Sequence, residues 1–85
     1  MIEVKYLKDV DSRMERRWQI DESRTMLVNP SNVVAASVFM GKLQNDDNVI
    51  TNAKMVEMYF VGGFTATTLW SEGLEQTLRK EGKGC

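Results

Sequence analysis

The chain reads as an α+β domain: a small, curved antiparallel sheet of about four to six strands, barrel-like or a meander, with one C-terminal helix. Three observations predict this. Residues 55–70 hold two β-prone runs joined by Gly62-Gly63, and Ile2, Val4 and Tyr6 alternate with Glu3 and Lys5. The third is Ser71 ahead of Glu72, Leu74, Glu75 and Leu78, the order of an N-cap, an acidic first turn and an apolar helical face.

The alternation at the start has the period of a half-buried strand. Residues 8–12 are polar and rich in Asp, which reads as a loop. Two readings stay open for the segment after it. Ser12 with Glu15 fits a helix capping box, with Met14 and Trp18 on one helical face. Trp18 and Ile20, alternating with Arg17 and Gln19, fit a strand instead. That strand would meet a turn at Asp21-Glu22-Ser23-Arg24 and return as Thr25-Met26-Leu27-Val28. The hairpin is the favoured reading.

Asn29-Pro30-Ser31-Asn32 is a turn, with Asn at its first position and Pro at its second. Residues 33–40 fit either a helix capped by Ser31 or a strand. The β-branched Val33, Val34 and Val38 favour the strand, and apolar residues on both of its faces suggest a central one. Residues 41–54 are mostly polar and longer than the usual connection of about 4–6 residues, which points to a long loop.

The glycine pair supplies the positive φ angles of a tight hairpin turn. A two-residue loop would place Val61 opposite Phe64, Tyr59 opposite Ala66, Glu57 opposite Thr68 and Met55 opposite Trp70. Phe60 would then face Thr65, Met58 Thr67, and Val56 Leu69. Both faces are apolar, so the hairpin must be covered on two sides. In the helix that follows, Glu75 pairs with Arg79 one turn on, and Gly82 stops the helix. Residues 82–85 are expected to form a disordered tail after a domain spanning 1–81.

Leu27-Val28-Asn29-Pro30-Ser31-Asn32-Val33-Val34, followed by a strand, a glycine hairpin and a short helix with an acidic start, resembles the small flagellar and swarming-motility (FlbD-like) protein family. In that family a strand runs into Asn-Pro-x-x-Ile/Val, and the chain closes with a helix rich in Glu and Val. The likeness spans residues 26–80. Residues 41–54 depart from it as an insertion, and Trp70-Ser71-Glu72-Gly73 stands where the family usually has Lys-Glu-Ser. Short phage and mobile-element accessory proteins look similar. The resemblance implies a compact barrel-like or meander sheet with a terminal helix, and an accessory role.

Composition narrows the function classes. The chain has 85 residues, 42% hydrophobic and 27% charged, close to globular averages. Its net charge is −1, so no global field draws it to nucleic acid or an anionic membrane. No apolar run approaches the ~18 residues of a membrane span, and the alternating start is no signal-peptide core. The sole cysteine, Cys85, cannot form an internal disulfide. A cytoplasmic location is the expectation.

The absence of histidine removes the commonest general base and imidazole ligand. Asp46 and Asp47, between Asn45 and Asn48, could offer oxygens to a cation, but their spacing matches no calcium loop and reads as a solvated turn. Gly62-Gly63 lacks a phosphate-loop context. The expectation is a non-enzyme with no cofactor, no metal and no small-molecule substrate. What remains is binding of a protein partner, with Met58, Phe60, Trp18, Arg16, Arg17, Asp46 and Asp47 as candidate contacts. A phage-encoded modulator or inhibitor of a host factor would suit so small a regulatory chain.

The alternative is a single-stranded nucleic-acid module, in which Arg13, Arg16 and Arg17 grip phosphate beside Trp18 while Tyr59, Phe60 and Phe64 stack bases. Glu15, Asp21 and Glu22 cancel most of that positive charge. Five internal methionines and a two-faced apolar hairpin exceed what one short helix can cover. That surplus predicts a homo-oligomer, a dimer first.

Overall fold

In a computed structural model describing residues 1–10 and 15–81, the alternation at the start of the chain builds β1 (Ile2–Val10), with Ile2, Val4 and Tyr6 half-buried and Glu3 and Lys5 in solvent. Lys8, Asp9 and Val10 belong to this strand and not to a loop, because each has a partner opposite it: Gln19, Trp18 and Arg17. An ion pair of 2.9 Å between Asp9 and Arg16 steadies that polar end.

The partner strand is β2 (Arg17–Val28), antiparallel to β1. The hairpin expected inside it does not form. Both flanks of Asp21-Glu22-Ser23-Arg24 pair with β1 in the same direction, and the four residues bulge out opposite Tyr6. Asp21 Oδ1 accepts from the Ser23 amide (3.1 Å) and hydroxyl (2.5 Å), a local turn that satisfies the excursion without reversing the chain. Arg24 folds back over the Tyr6 ring at 5.2 Å. The helical reading of this region fails at residues 17–20, which are strand; Ser12, Arg13 and Met14 lie outside the described residues.

The Asn-Pro turn becomes a 3-10 turn, η1 (Pro30–Asn32). Asn29 Oδ1 accepts from the Ser31 amide (3.2 Å), and the Asn32 amide bonds the Asn29 carbonyl (3.0 Å). The chain then enters β3 (Val33–Gln44), as the valines favoured. Residues 41–54 are no long loop. Both halves are strand, ending β3 and opening β4 (Ile50–Phe60), and only the turn at 45–48 with Val49 is irregular. Asn45 forms this turn: its Oδ1 accepts from the Asp47 and Val49 amides at 2.9 Å each, and Asn48 takes the left-handed φ of 62°. A polar sequence here marks a solvent-facing hairpin end, which composition alone does not separate from a loop.

The hairpin between β4 and β5 (Thr65–Leu69) is present with Gly62 and Gly63 at φ of 96° and 88°. Its register differs from expectation by one residue. The Phe60 amide bonds the Phe64 carbonyl (2.8 Å), so Val61 joins the loop, and Met58 faces Ala66 while Val56 faces Thr68. Helix α1 (Glu72–Glu81) begins as expected: Ser71 Oγ accepts from the Leu74 amide at 3.1 Å, and Glu75 pairs with Arg79 at 3.8 Å.

The strands lie in the order β1-β2-β3-β4-β5. The sheet is mixed, correcting the antiparallel expectation: the far end of β3 meets the start of β2 in parallel, Arg17 with Lys42 and Trp18 with Leu43. It curls without closing into a barrel. β1 and β5, at opposite ends of the order, approach where Thr68 Oγ1 donates to the Lys5 carbonyl at 2.7 Å. β4 carries the core on both faces. Val56 and Met58 pack with Val28, Val33, Leu74 and Leu78, while Met55 packs with Leu7 and Trp18. The two-sided cover that the hairpin requires is thus supplied within one chain. Residues 82–85, expected to be disordered, lie outside the described residues.

Candidate functional site

Residues 33–41 contain no charged side chain and no proline. The direction of their backbone groups follows from the turn beside them. The Asn45 amide bonds the Val49 carbonyl (3.0 Å), which fixes the hydrogen-bonded positions of the β3–β4 ladder at every second residue. Leu43, Gly41, Phe39, Ser37 and Ala35 therefore bond toward β4, opposite Thr51, Ala53, Met55, Glu57 and Tyr59. The intervening residues Ala36, Val38 and Met40 aim their N–H and C=O groups the other way. β2 reaches β3 only at Lys42 and Leu43. Among the described residues, no strand pairs with Ala36, Val38 or Met40 on that side.

β3 is central in the strand order, as expected, yet among the described residues most of its length has no strand paired on the side away from β4. The side chains agree. Residues 34–38 are exposed on both faces of the strand, Val38 is 43% exposed and Met40 64%. A β-bulge at Val34 ends the regular edge on one side, and Lys42 ends it on the other. The neighbouring β4–β5 loop adds exposed Val61 and Phe64, the latter 72% exposed, and Tyr59 stands opposite both Ala35 and Thr65.

The candidate contacts read from the sequence do not form one surface. Met58 is 0% exposed and belongs to the core, out of reach of any partner. Phe60 is half-buried against the same core. Trp18 is 7% exposed, its ring 5.4 Å from that of Phe39, with the Arg16 guanidinium 4.7 Å above it. Arg17 and Lys42 both bond Glu15, at 3.3 and 3.4 Å. The structure brings Arg16, Arg17 and Trp18 together where β2 meets β3, but each cation already faces a carboxylate. Asp46 and Asp47 are exposed at the separate tip of the β3–β4 hairpin. Arg13 lies outside the described residues.

A polar groove of about 280 Å³ runs between β1 and the excursion of β2, lined by Glu3, Lys5, Asp21, Glu22 and Arg24 among others. The hydrogen bond from Ser23 holds the Asp21 carboxyl below its ordinary value, which keeps it an anion facing Lys8 and Arg24. Charges of both signs cancel here. Among the described residues, no three His, Cys, Asp or Glu side chains converge as metal ligands. Among the described residues, every buried side-chain nitrogen or oxygen has a hydrogen-bond partner. No described helix is long and apolar enough to cross a membrane.

Sequence reasoning missed the β3 edge. The signal was the uncharged run itself, since a solvent-facing edge ordinarily carries Lys, Pro or an inward charge. Comparison with protein-family models, with curated proteins and with solved structures returns no match.

Proposed function

We propose that this chain is a non-enzymatic accessory protein that binds a protein partner by accepting a strand at the open edge of β3. The observation that carries the reading is the outward set of backbone groups at Ala36, Val38 and Met40 beside exposed apolar side chains. An added strand would complete that ladder and cover Val38 and Met40, whose full burial is worth roughly 1.5–3 kcal/mol each. Backbone bonding gives strand addition its affinity, and alternate side chains give it selectivity. A protein partner ranks above single-stranded nucleic acid because Arg16, Arg17 and Lys42 are engaged by Asp9 and Glu15. The same proposal includes kinship with the motility family, supported by the Asn29-Pro30 turn, and a cytoplasmic modulator role of phage or mobile-element type, supported by the small size.

Amide hydrogen exchange tests the site. The expected result in dilute protein is fast exchange of the Ala36, Val38 and Met40 amides and protection of those of Ser37 and Phe39. Uniform protection along residues 35–40 would remove the open edge. Retention on heparin or single-stranded DNA that falls steeply with added salt would favour the nucleic-acid reading instead.

A further inference from the structure

We infer that the occupant of the β3 edge is a second copy of this chain, paired antiparallel about a two-fold axis at Val38. This rests on the strand-addition reading and names its partner. The outward residues of one edge oppose the outward residues of the other: Ala36 against Met40 of the second copy, Val38 against Val38, and Met40 against Ala36. Each such pair exchanges both backbone hydrogen bonds, so the three residues that no described strand pairs on this side are all used in each copy. The joint stops short of the bulge at Val34 and of Lys42, which β2 already holds.

Three features favour a second copy over an unrelated strand. The run 33–41 carries no charge, so two identical segments meet without repulsion. Antiparallel pairing sends the two Lys42 side chains to opposite ends of the joint, roughly 27 Å apart at about 3.4 Å per residue, whereas in-register parallel pairing would put them side by side. The side chains are also complementary in size. Met40, long and 64% exposed, lies over the small Ala36 of the other copy, and the two Val38 side chains meet at the axis. A two-fold joint uses the same β3 edge of both copies at once, so pairing at this edge stops at two chains. The dimer expected from the sequence thus acquires a different interface: the backbone edge of β3 in place of the hairpin face around Phe60 and Met58.

The parity of β3 supplies a selective variant. The Val38 amide points to the open edge, so Val38→Pro removes a bond needed only by the dimer, and proline is tolerated at such a position. The symmetric pair loses two bonds, which weakens association on the order of a hundredfold. Val38→Lys provides an independent second variant through like charges at the axis. The expected result in light scattering over a dilution series is a dimer for the wild type and monomers for both variants, with unchanged circular dichroism.

A dimer that persists in both variants would overturn the interface and the edge reading together. A wild type that stays monomeric up to millimolar concentration would overturn the second-copy inference. In that case titration with a synthetic peptide of residues 33–42 separates the two ideas. Shifts at the Ala36, Val38 and Met40 amides would leave the strand-addition reading standing, and no shifts would remove it as well.

Discussion

Gly41 shows how one missing atom shapes the interior. A Cβ there would lie 2.6 Å from the Met55 sulfur and 3.2 Å from the Phe39 ring. Met55 is fully buried, so its thioether cannot swing into solvent to make room. Gly41→Ala is therefore expected to lower stability by about 1–3 kcal/mol, the usual cost of overpacking, read as a fall in the urea midpoint. An unchanged midpoint would mean that the Met55 and Phe39 side chains yield to the added methyl group without cost.

Asp21 makes a second residue-scale case. The Ser23 hydroxyl bond is the main cause of its lowered pKa; the Ser23 amide, Lys8 and Arg24 add to it, while burial opposes it. Because the folded state holds this carboxyl below its ordinary value, its contribution to stability is present above that value. It is lost as the pH falls through the lowered one. A carboxyl NMR titration should find Asp21 below the ordinary Asp range, and Ser23→Ala should move it back up.

Elements in this fold are defined by what lies beside them. Lys8 to Val10 look like loop in isolation and are strand because Arg17, Trp18 and Gln19 stand opposite. The four-residue excursion at 21–24 looks like a hairpin turn because Asp, Ser and Arg suit turns, yet β1 pairs with both flanks and keeps β2 one strand. Where two elements meet without a ladder, a single side chain closes the seam. Thr68, 1% exposed, donates to the Lys5 carbonyl and holds β5 to β1. Thr68→Val keeps the shape and removes the donor. The expected loss is about 1 kcal/mol, accompanied by faster exchange of the amides of β5. If β5 exchange is unaffected, the seam is held by packing alone.

At the scale of the molecule, α1 is the only α-helix among the described residues, and it covers one of two cores. Leu74 and Leu78 close over Val28, Val33, Val56 and Met58. Leu74→Ala should cost about 2–5 kcal/mol, a large share of the roughly 5–15 kcal/mol that stabilises a typical domain. Thermal unfolding checks this, since a variant melting within a degree or two of the wild type would show that the helix is peripheral. Burial on both faces of β4 also changes the reasoning about association. Much of the apolar surface read from the hairpin, Met55, Val56 and Met58 above all, is absorbed internally, while Val61 and Phe64 at its loop stay exposed beside the β3 edge.

Local chemistry by itself determined the elements with short-range causes. Ser71 caps α1 through its own hydroxyl, Gly62 and Gly63 supply the positive φ angles of the hairpin turn, Asn29 with Pro30 forms the 3-10 turn between β2 and β3, and β-branching set residues 33–40 as strand. The α+β class and the C-terminal helix follow from these. Only the tertiary structure decided what depends on residues far apart in the chain. It slid the glycine hairpin by one residue, made the 41–54 segment the end of a long ribbon, and ran β2 parallel to β3 for two residues. Among the described residues, it also left Ala36, Val38 and Met40 without a strand partner on the side away from β4. An edge is a missing long-range partner, and a missing partner has no local signature beyond the lack of charges that would otherwise guard it.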